Sequence, residues 1–415
     1  MKYYPLRPIQ RWLVDTHFNK AKSTMMNIGA LLKMSHAIDM EYLAKAVNQV
    51  LNAHDIFRCR FVFHPETSDL CQTFDGEIPE VKVKKISDEE FDERMEKLRE
   101  PYKMIDRPLW RIYVIETPTA KYLYVDFYHA VMDGVAVLYL FWREVDAAYR
   151  GRNKRNPPPS YAEYVEEESK ISAEELAKGH AYWKNMLAEF DAEKHLPPVK
   201  VAGSVAKWTP GNFNYKFKNI FNEFFRRTHV IENNFFLAAT MLTLAKITGT
   251  KKSVMSRISN GRTDMRERRL MGLMLEQFPC AWDFGEDISI GEFLNRLEGQ
   301  NNIGLRYRKS LDVVYDERLE DDCVRFVFQK NLYQGLIFCD NPVEVVYLPP
   351  NEISAVENAL DVEINLEDSG RYSFYMKYDA SRYSETDMKN FAETLDKIIL
   401  AMQNLNARTS EILKG

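Results

Sequence analysis

Along residues 121–128, Leu123, Val125 and Phe127 interleave with Tyr122, Tyr124 and Asp126. That period of two predicts a pleated strand. The strand delivers His129 into a turn closed by Asp133-Gly134, and the apolar run over 135–149 predicts a helix behind it. Residues 109–116 repeat the strand pattern. Thr117-Pro118-Thr119-Ala120 between the two runs predicts a hairpin. Upstream, 28–34 reads as a strand. Asp39 reads as the N-cap of a helix whose Met40, Leu43, Ala44, Val47, Val50 and Leu51 share one face. Residues 54–63 read as a turn entering a further strand, and Pro5 to Leu13 as a turn entering a short helix.

The later half has the same mixed character. Residues 235–245 are apolar nearly all round, which predicts a buried helix. Residues 253–259 predict a strand ending at Asn260-Gly261-Arg262. Runs 360–366 and 372–378 flank Glu367-Asp368-Ser369-Gly370-Arg371 as a second hairpin, and Ser384 caps a final helix to about residue 403. Between the halves, 151–160 carries three prolines and a basic cluster, the composition of a stiff exposed connector. A polar helix over 172–190 follows, ending before Leu196-Pro197-Pro198. Two halves that each hold antiparallel hairpins predict an α+β fold, with an N-terminal lobe at 1–165 and a C-terminal lobe at 166–415.

Composition narrows the function classes. The chain has 415 residues, enough for two domains, and 45% of them are hydrophobic, enough for a large core. A net charge of −5 argues against nucleic acid as a partner. Cys59, Cys71, Cys280, Cys323 and Cys339 are scattered and odd in number, without CxxC or Cys/His metal spacing. They predict free thiols in a reducing compartment and no bound metal. The opening residues lack a signal-peptide apolar core, and the apolar run at 134–142 is too short to span a bilayer. The expectation is a soluble cytoplasmic protein with no membrane span.

His129 is the candidate catalytic residue. A strand end followed by a tight turn is a rigid place to hold a proton-transfer group. The plainer alternatives are a satisfied, half-buried histidine, and an Asp133 that only caps the following helix. Arg150, Arg152, Lys154 and Arg155 read as a solvated connector or as contacts for an acidic partner. Arg262, Arg266, Arg268 and Arg269 read as surface charge or as a phosphate site. Phe224, Phe225, Phe235 and Phe236 read as core.

The order of motifs resembles the condensation-domain superfamily of nonribosomal peptide synthetases over nearly the whole chain. Tyr4-Pro5-Leu6-Arg7-Pro8-Ile9-Gln10 is similar to its opening motif, and His54-Asp55-Ile56-Phe57-Arg58-Cys59-Arg60-Phe61 to its RHExLRTxF segment. Tyr128 to Gly134 resembles the HHxxxDG signature. Tyr161-Ala162-Glu163-Tyr164 and Tyr182-Trp183-Lys184 resemble the YADY…YW region. Asn260-Gly261-Arg262 and the run from Gly272 to Pro279 resemble aGR…GxFxNTxP, and Tyr378-Asp379-Ala380 a late YxxxxF segment.

The resemblance implies two chloramphenicol-acetyltransferase-like lobes forming a V, with His129 in a central tunnel. It implies that Asp133 is structural and pairs with an arginine, for which Arg262 is the choice. Gly134 would keep a side chain out of the tunnel. Arg58 reads either as a brace of the active-site loop or as a plain strand-pair residue. Two positions depart from the pattern. The first histidine of the signature is Tyr128, which strand alternation turns away from His129, and the asparagine of FxNTxP is Glu276.

The function implied is that of a free-standing acyltransferase. It would join a carrier-bound acyl thioester to an amine acceptor, forming an amide by direct transfer assisted by His129. No carrier-attachment serine motif or phosphate loop is present, so an acyl or peptidyl carrier protein would act in trans. No cofactor would be bound permanently; the donor thioester rides on phosphopantetheine, or on CoA. The alternatives are an acyl-CoA-dependent O-acyltransferase and a non-catalytic docking module of a synthetase pathway.

Overall fold

The computed structural model describes residues 2–19, 21–95, 97–152, 157–188, 210–218, 221–316, 324–330, 335–346, 360–367 and 369–414. The chain packs into two compact units, each assembled from three separate stretches of sequence. Unit 1 holds Met1–Ile171, Asn260–Leu275 and Leu332–Ala355; unit 2 holds Ser172–Ser259, Glu276–Asn331 and Val356–Gly415. A single division between residues 165 and 166 therefore misses two later segments that fold with the first unit. Of the connector, residues 153–156 lie outside the described residues, as do 189–209, with the expected end of the polar helix, and residue 368 of the second hairpin.

Unit 1 is built on a five-stranded sheet, in the order Glu344–Val346, Asn27–Met34, Lys121–Tyr128, Trp110–Glu116 and Val83–Lys85. The first four strands pair antiparallel with one another, and the last runs parallel to Trp110–Glu116. The hairpin closes with the Thr117 N–H donating to the Ala120 carbonyl at 2.9 Å. Helix Met40–Ala53 starts at Asp39, whose Oδ1 accepts from the Glu41 and Tyr42 amides at 2.9 and 3.0 Å. It packs on the helix Trp142–Tyr149.

Alternation along Lys121–Tyr128 sorts its side chains by face. Phe127 meets Phe57 and Phe141, while Tyr124 packs with Leu31, Phe91, Leu98 and Ile115. Tyr128 is fully buried and makes edge contacts with His17 and Phe61; its hydroxyl donates only to the Met104 sulfur, at 3.6 Å. The signature position that departs from the family pattern is thus occupied by a packing residue.

Unit 2 holds a six-stranded sheet, in the order Glu276–Asp283, Lys252–Ser259, Val324–Lys330, Leu360–Leu366, Tyr372–Asp379 and Pro210–Lys216. Val324–Lys330 is parallel to both its neighbours and the other pairs are antiparallel. Helix Glu232–Thr248 is buried from Asn234 to Ala245, as its unbroken apolar run requires. Helix Glu385–Met402 begins with a capping box between Ser384 and Asp387. Phe224, Phe225, Phe235 and Phe236 all belong to this core.

The polar helix expected at 172–190 is Ala173–Leu187, and a separate helix, Tyr161–Ser169, precedes it. Among the described residues no single helix is long and apolar enough to cross a membrane. Helices Asn222–Thr228 and Glu232–Thr248, bent by 112°, reach that hydropathy only together, and the second is the core helix of unit 2.

Candidate functional site

The turn after Lys121–Tyr128 is held from both sides. The His129 amide donates to the Met26 carbonyl at 2.8 Å, and the Tyr128 carbonyl accepts from Val131 and Met132 at 3.0 and 3.3 Å. Gln10 of the opening motif donates to the Ala130 carbonyl at 2.9 Å. His129 itself is half-buried. Its Nδ1 lies 3.1 Å from the Met132 carbonyl oxygen. A carbonyl can only accept, so Nδ1 carries the proton of the neutral ring and the basic lone pair is on Nε2. The ring's orientation and tautomer are fixed by its own turn.

Asp133 is buried and serves two purposes at once. Its Oδ1 accepts from the Ala136 amide at 2.8 Å, which makes it the N-cap of the following helix. Its Oδ2 accepts from Arg262 Nη1 at 2.8 Å and from the Met274 and Leu275 amides at 2.8 and 3.2 Å. Both ion-pair side chains are 3% exposed, deep enough that neither could stay charged without the other at low cost. The cap and the ion pair therefore coexist on one carboxylate. Arg262 Nη2 also donates to the Leu270 and Gly272 carbonyls at 3.3 Å each.

Segment Asn260–Leu275 is thus tied to the His129 turn within unit 1. Gly261 enters it with φ at +65°, a backbone that suits glycine. Gly272 has φ +149°, and a Cβ there would stand 2.3 Å from the Tyr161 ring. The Leu273 carbonyl accepts from Arg7 Nη1 at 2.6 Å and from the Tyr161 hydroxyl at 2.9 Å. Arg7 is in turn ion-paired to buried Glu168.

Arg7, Gln10 and Tyr161 lie in family-like motifs, but the motifs alone give them no role. Nothing in the sequence marks Glu168, which works across 161 residues of chain. Asp55 is equally silent there: its carboxylate accepts from the Tyr161 and Ala162 amides at 2.9 and 3.0 Å and fastens helix Tyr161–Ser169.

The helix after Asp133 is not regular. Residues Ala136–Phe141 form a π-helical segment before the α-helix Trp142–Tyr149. Such segments are frequent at functional sites. His54 Nε2 lies 2.8 Å from Glu144 on this helix. Gly134 is its first turn and is half-buried, and it does not have a positive φ.

Arg58 also lies in unit 1. It ends the short 3₁₀ turn Asp55–Arg58, and its Nη1 donates to the Gly76 carbonyl at 3.3 Å, bracing the 75–77 loop. Arg266 pairs with Glu167 at 2.5 Å and Arg150 with Asp146 and Asp340 at 2.9 and 2.8 Å. Neither is the loose cation of a phosphate site or solvated connector. Lys154 and Arg155 lie outside the described residues.

Asp126, on the opposite face of the strand from Phe127, is 1% exposed and accepts from Asn27 at 2.8 Å and Arg111 at 3.3 Å. Burial pushes its carboxyl up to about 6 despite the pull of Arg111.

The mixed sheets, the helices packed on them and a histidine turn locked to a buried Asp–Arg pair define an α+β fold. The chain belongs to the condensation-domain family, whose model matches residues 1–413. Surfactin synthase subunit 2 of Bacillus subtilis (strain 168) is 20% identical over 429 residues, which is 99% of this chain and 12% of that protein. The chain therefore spans a small part of the length of that relative. The condensation domain from the monacolin K polyketide synthase MokA matches with a TM-score of 0.77 at 18% identity, over 99% of both chains. The X-domain from teicoplanin biosynthesis matches with a TM-score of 0.74 at 16% identity, over 99% of this chain and 97% of that one.

Proposed function

We propose that the chain forms an amide by passing an acyl group from a phosphopantetheine thioester on a carrier protein directly to an amine. The observation that carries this reading is the His129–Met132 contact, which leaves the ring's basic lone pair on Nε2. The amine nitrogen attacks the thioester carbonyl carbon. As the C–N bond forms, its proton passes to Nε2; as the C–S bond breaks, that proton returns to the departing thiolate. A histidine whose ordinary pKa is about 6.5 suits both transfers. Asp133, Arg262, Gly134 and Arg58 are positioning residues in this scheme.

In this reading donor and acceptor are held together beside His129. Holding both reactants there supplies much of the acceleration. The carrier acts in trans and the protein works in the cytoplasm. The free cysteines among the described residues, Cys59, Cys71, Cys280 and Cys339, support a reducing compartment.

The fold shared with the teicoplanin X-domain favours a second reading, a non-catalytic docking module. An acyl-CoA donor with a hydroxyl acceptor is a variant of the first. Comparing carrier-bound and CoA-bound forms of the same acyl groups, with amine and alcohol acceptors, separates all three. The first reading predicts that the carrier form with an amine is fastest. Equal use of CoA overturns the carrier assignment, and no transfer from any donor leaves the docking module.

A further inference from the structure

Arg257 stands out among the buried cations. It lies on strand Lys252–Ser259, directly opposite Phe278 of strand Glu276–Asp283, so both side chains share one face of the unit 2 sheet. It is 4% exposed. Its Nε and Nη1 are buried with no hydrogen-bond partner. The guanidinium sits 5.2 Å from the Phe278 ring centroid, and Phe278 packs on Trp183. The Cys280 thiol, which interacts with the guanidinium, is pushed up to about 11 by burial and stays neutral. It supplies no counter-charge.

The contrast with other buried arginines is direct. Arg7 pairs with Glu168, Arg262 with Asp133 and Arg325 with Asp361. Among the described residues no carboxylate pairs with Arg257. A buried guanidinium keeps its charge, and burying that charge unpaired is destabilising where an apolar side chain of that size would stabilise. A buried donor left without a partner calls for a missing acceptor. One guanidinium balances one negative charge, and its planar donors match a planar carboxylate.

We propose that Arg257 is the anion-recognition residue of unit 2 and takes the carboxylate of a small ligand. The amide-forming reading, on which this rests only for the ligand's class, offers two sources. The carboxylate can come from an amino acid or from the far end of a dicarboxylic acyl thioester.

The test is binding of matched probes to the full chain by calorimetry. The acceptor arm compares apolar amino acids with their amides. The donor arm compares the succinyl and butyryl thioesters of N-acetylcysteamine. Inorganic phosphate is the third probe. One arm should show a carboxylate preference of roughly tenfold or more, the usual worth of a charged hydrogen bond. Arg257→Met should erase it while melting no lower than the parent, and Arg257→Lys should retain part of it. Should Arg257→Met fail to fold, Arg257→Lys carries the test, with an expected loss of affinity confined to the carboxylate probe.

The proposal is overturned by the absence of any carboxylate preference, by a preference that survives Arg257→Met, or by dependence on Arg257 for phosphate alone. The readout does not require turnover. Arg257-dependent binding without amide formation would sink the acyl-transfer reading and leave this assignment standing; amide formation without such binding would do the reverse.

Discussion

At the scale of single residues, His129 and Asp133 divide chemistry from support. The His129 ring is oriented by its own turn, so removing it should leave the fold in place. His129→Ala is expected to lower acyl transfer by roughly 10²–10⁴-fold, the usual worth of positioned acid–base catalysis, with melting temperature and donor affinity little changed. Asp133→Ala should instead melt much earlier. It strands Arg262, whose partner is 2.8 Å away, together with the Ala136, Met274 and Leu275 amides. Breaking one side of a buried pair costs about 3–5 kcal/mol. A variant that melts normally yet loses activity would assign Asp133 a direct part in the reaction.

Asp126 gives a prediction with a definite sign. Its folded carboxyl is raised to about 6, above its unfolded value, so between about pH 4 and 6 the folded state binds more protons than the unfolded one. The burial penalty is present above that window and is relieved as pH falls through it. Asp126→Asn removes the effect. In urea titrations the variant's stability advantage over wild type should shrink from pH 7 to pH 5. An advantage that grows on acidification would contradict the assignment.

At the scale of elements, segment Asn260–Leu275 does the most positioning. Gly272→Ala tests it: the backbone is at φ +149° and the new Cβ would meet Tyr161 at 2.3 Å. A loss of more than about 1 kcal/mol is expected, read as a lower urea midpoint, because an alanine there strains the folded backbone. An unchanged midpoint would show that the segment is not held as described.

Much at this scale was legible in the sequence. Asp39 and Ser384 announced their helices because a cap acts on amides two or three residues away. The alternation at 121–128 announced both the strand and the inward turn of Tyr128. The π-helical segment Ala136–Phe141 was not legible, since its apolar run reads equally as an α-helix. Helix Tyr161–Ser169 was also missed, although Ser160 caps it locally by accepting from the Glu163 amide at 3.1 Å; only the added hold from Asp55, more than 100 residues earlier, has no local signal.

At the scale of the whole molecule, the α+β class followed from local pattern, while the composition of the units did not. Asn260–Leu275 and Leu332–Ala355 join unit 1 from far downstream. Strand Glu344–Val346 pairs with Asn27–Met34 across some three hundred residues, and no periodicity encodes such a pairing. The Asp133–Arg262 pair is equally long-range. It could be anticipated only from the order of motifs, which preserves family geometry that spacing alone does not. Arg58 also lies in a matching motif, but the motif gives no sign of its hydrogen bond to the Gly76 carbonyl.

The most direct test of the proposed chemistry is amide formation itself, followed by mass spectrometry. Carrier protein loaded with a panel of acyl-phosphopantetheine thioesters is mixed with a panel of amines and either wild type or His129→Ala. Direct transfer predicts amide product with wild type, a loss of roughly 10²–10⁴-fold with His129→Ala, and no covalent acyl-enzyme at any time. Equal rates for the two proteins, or a trapped acyl-enzyme, would contradict direct transfer assisted by His129.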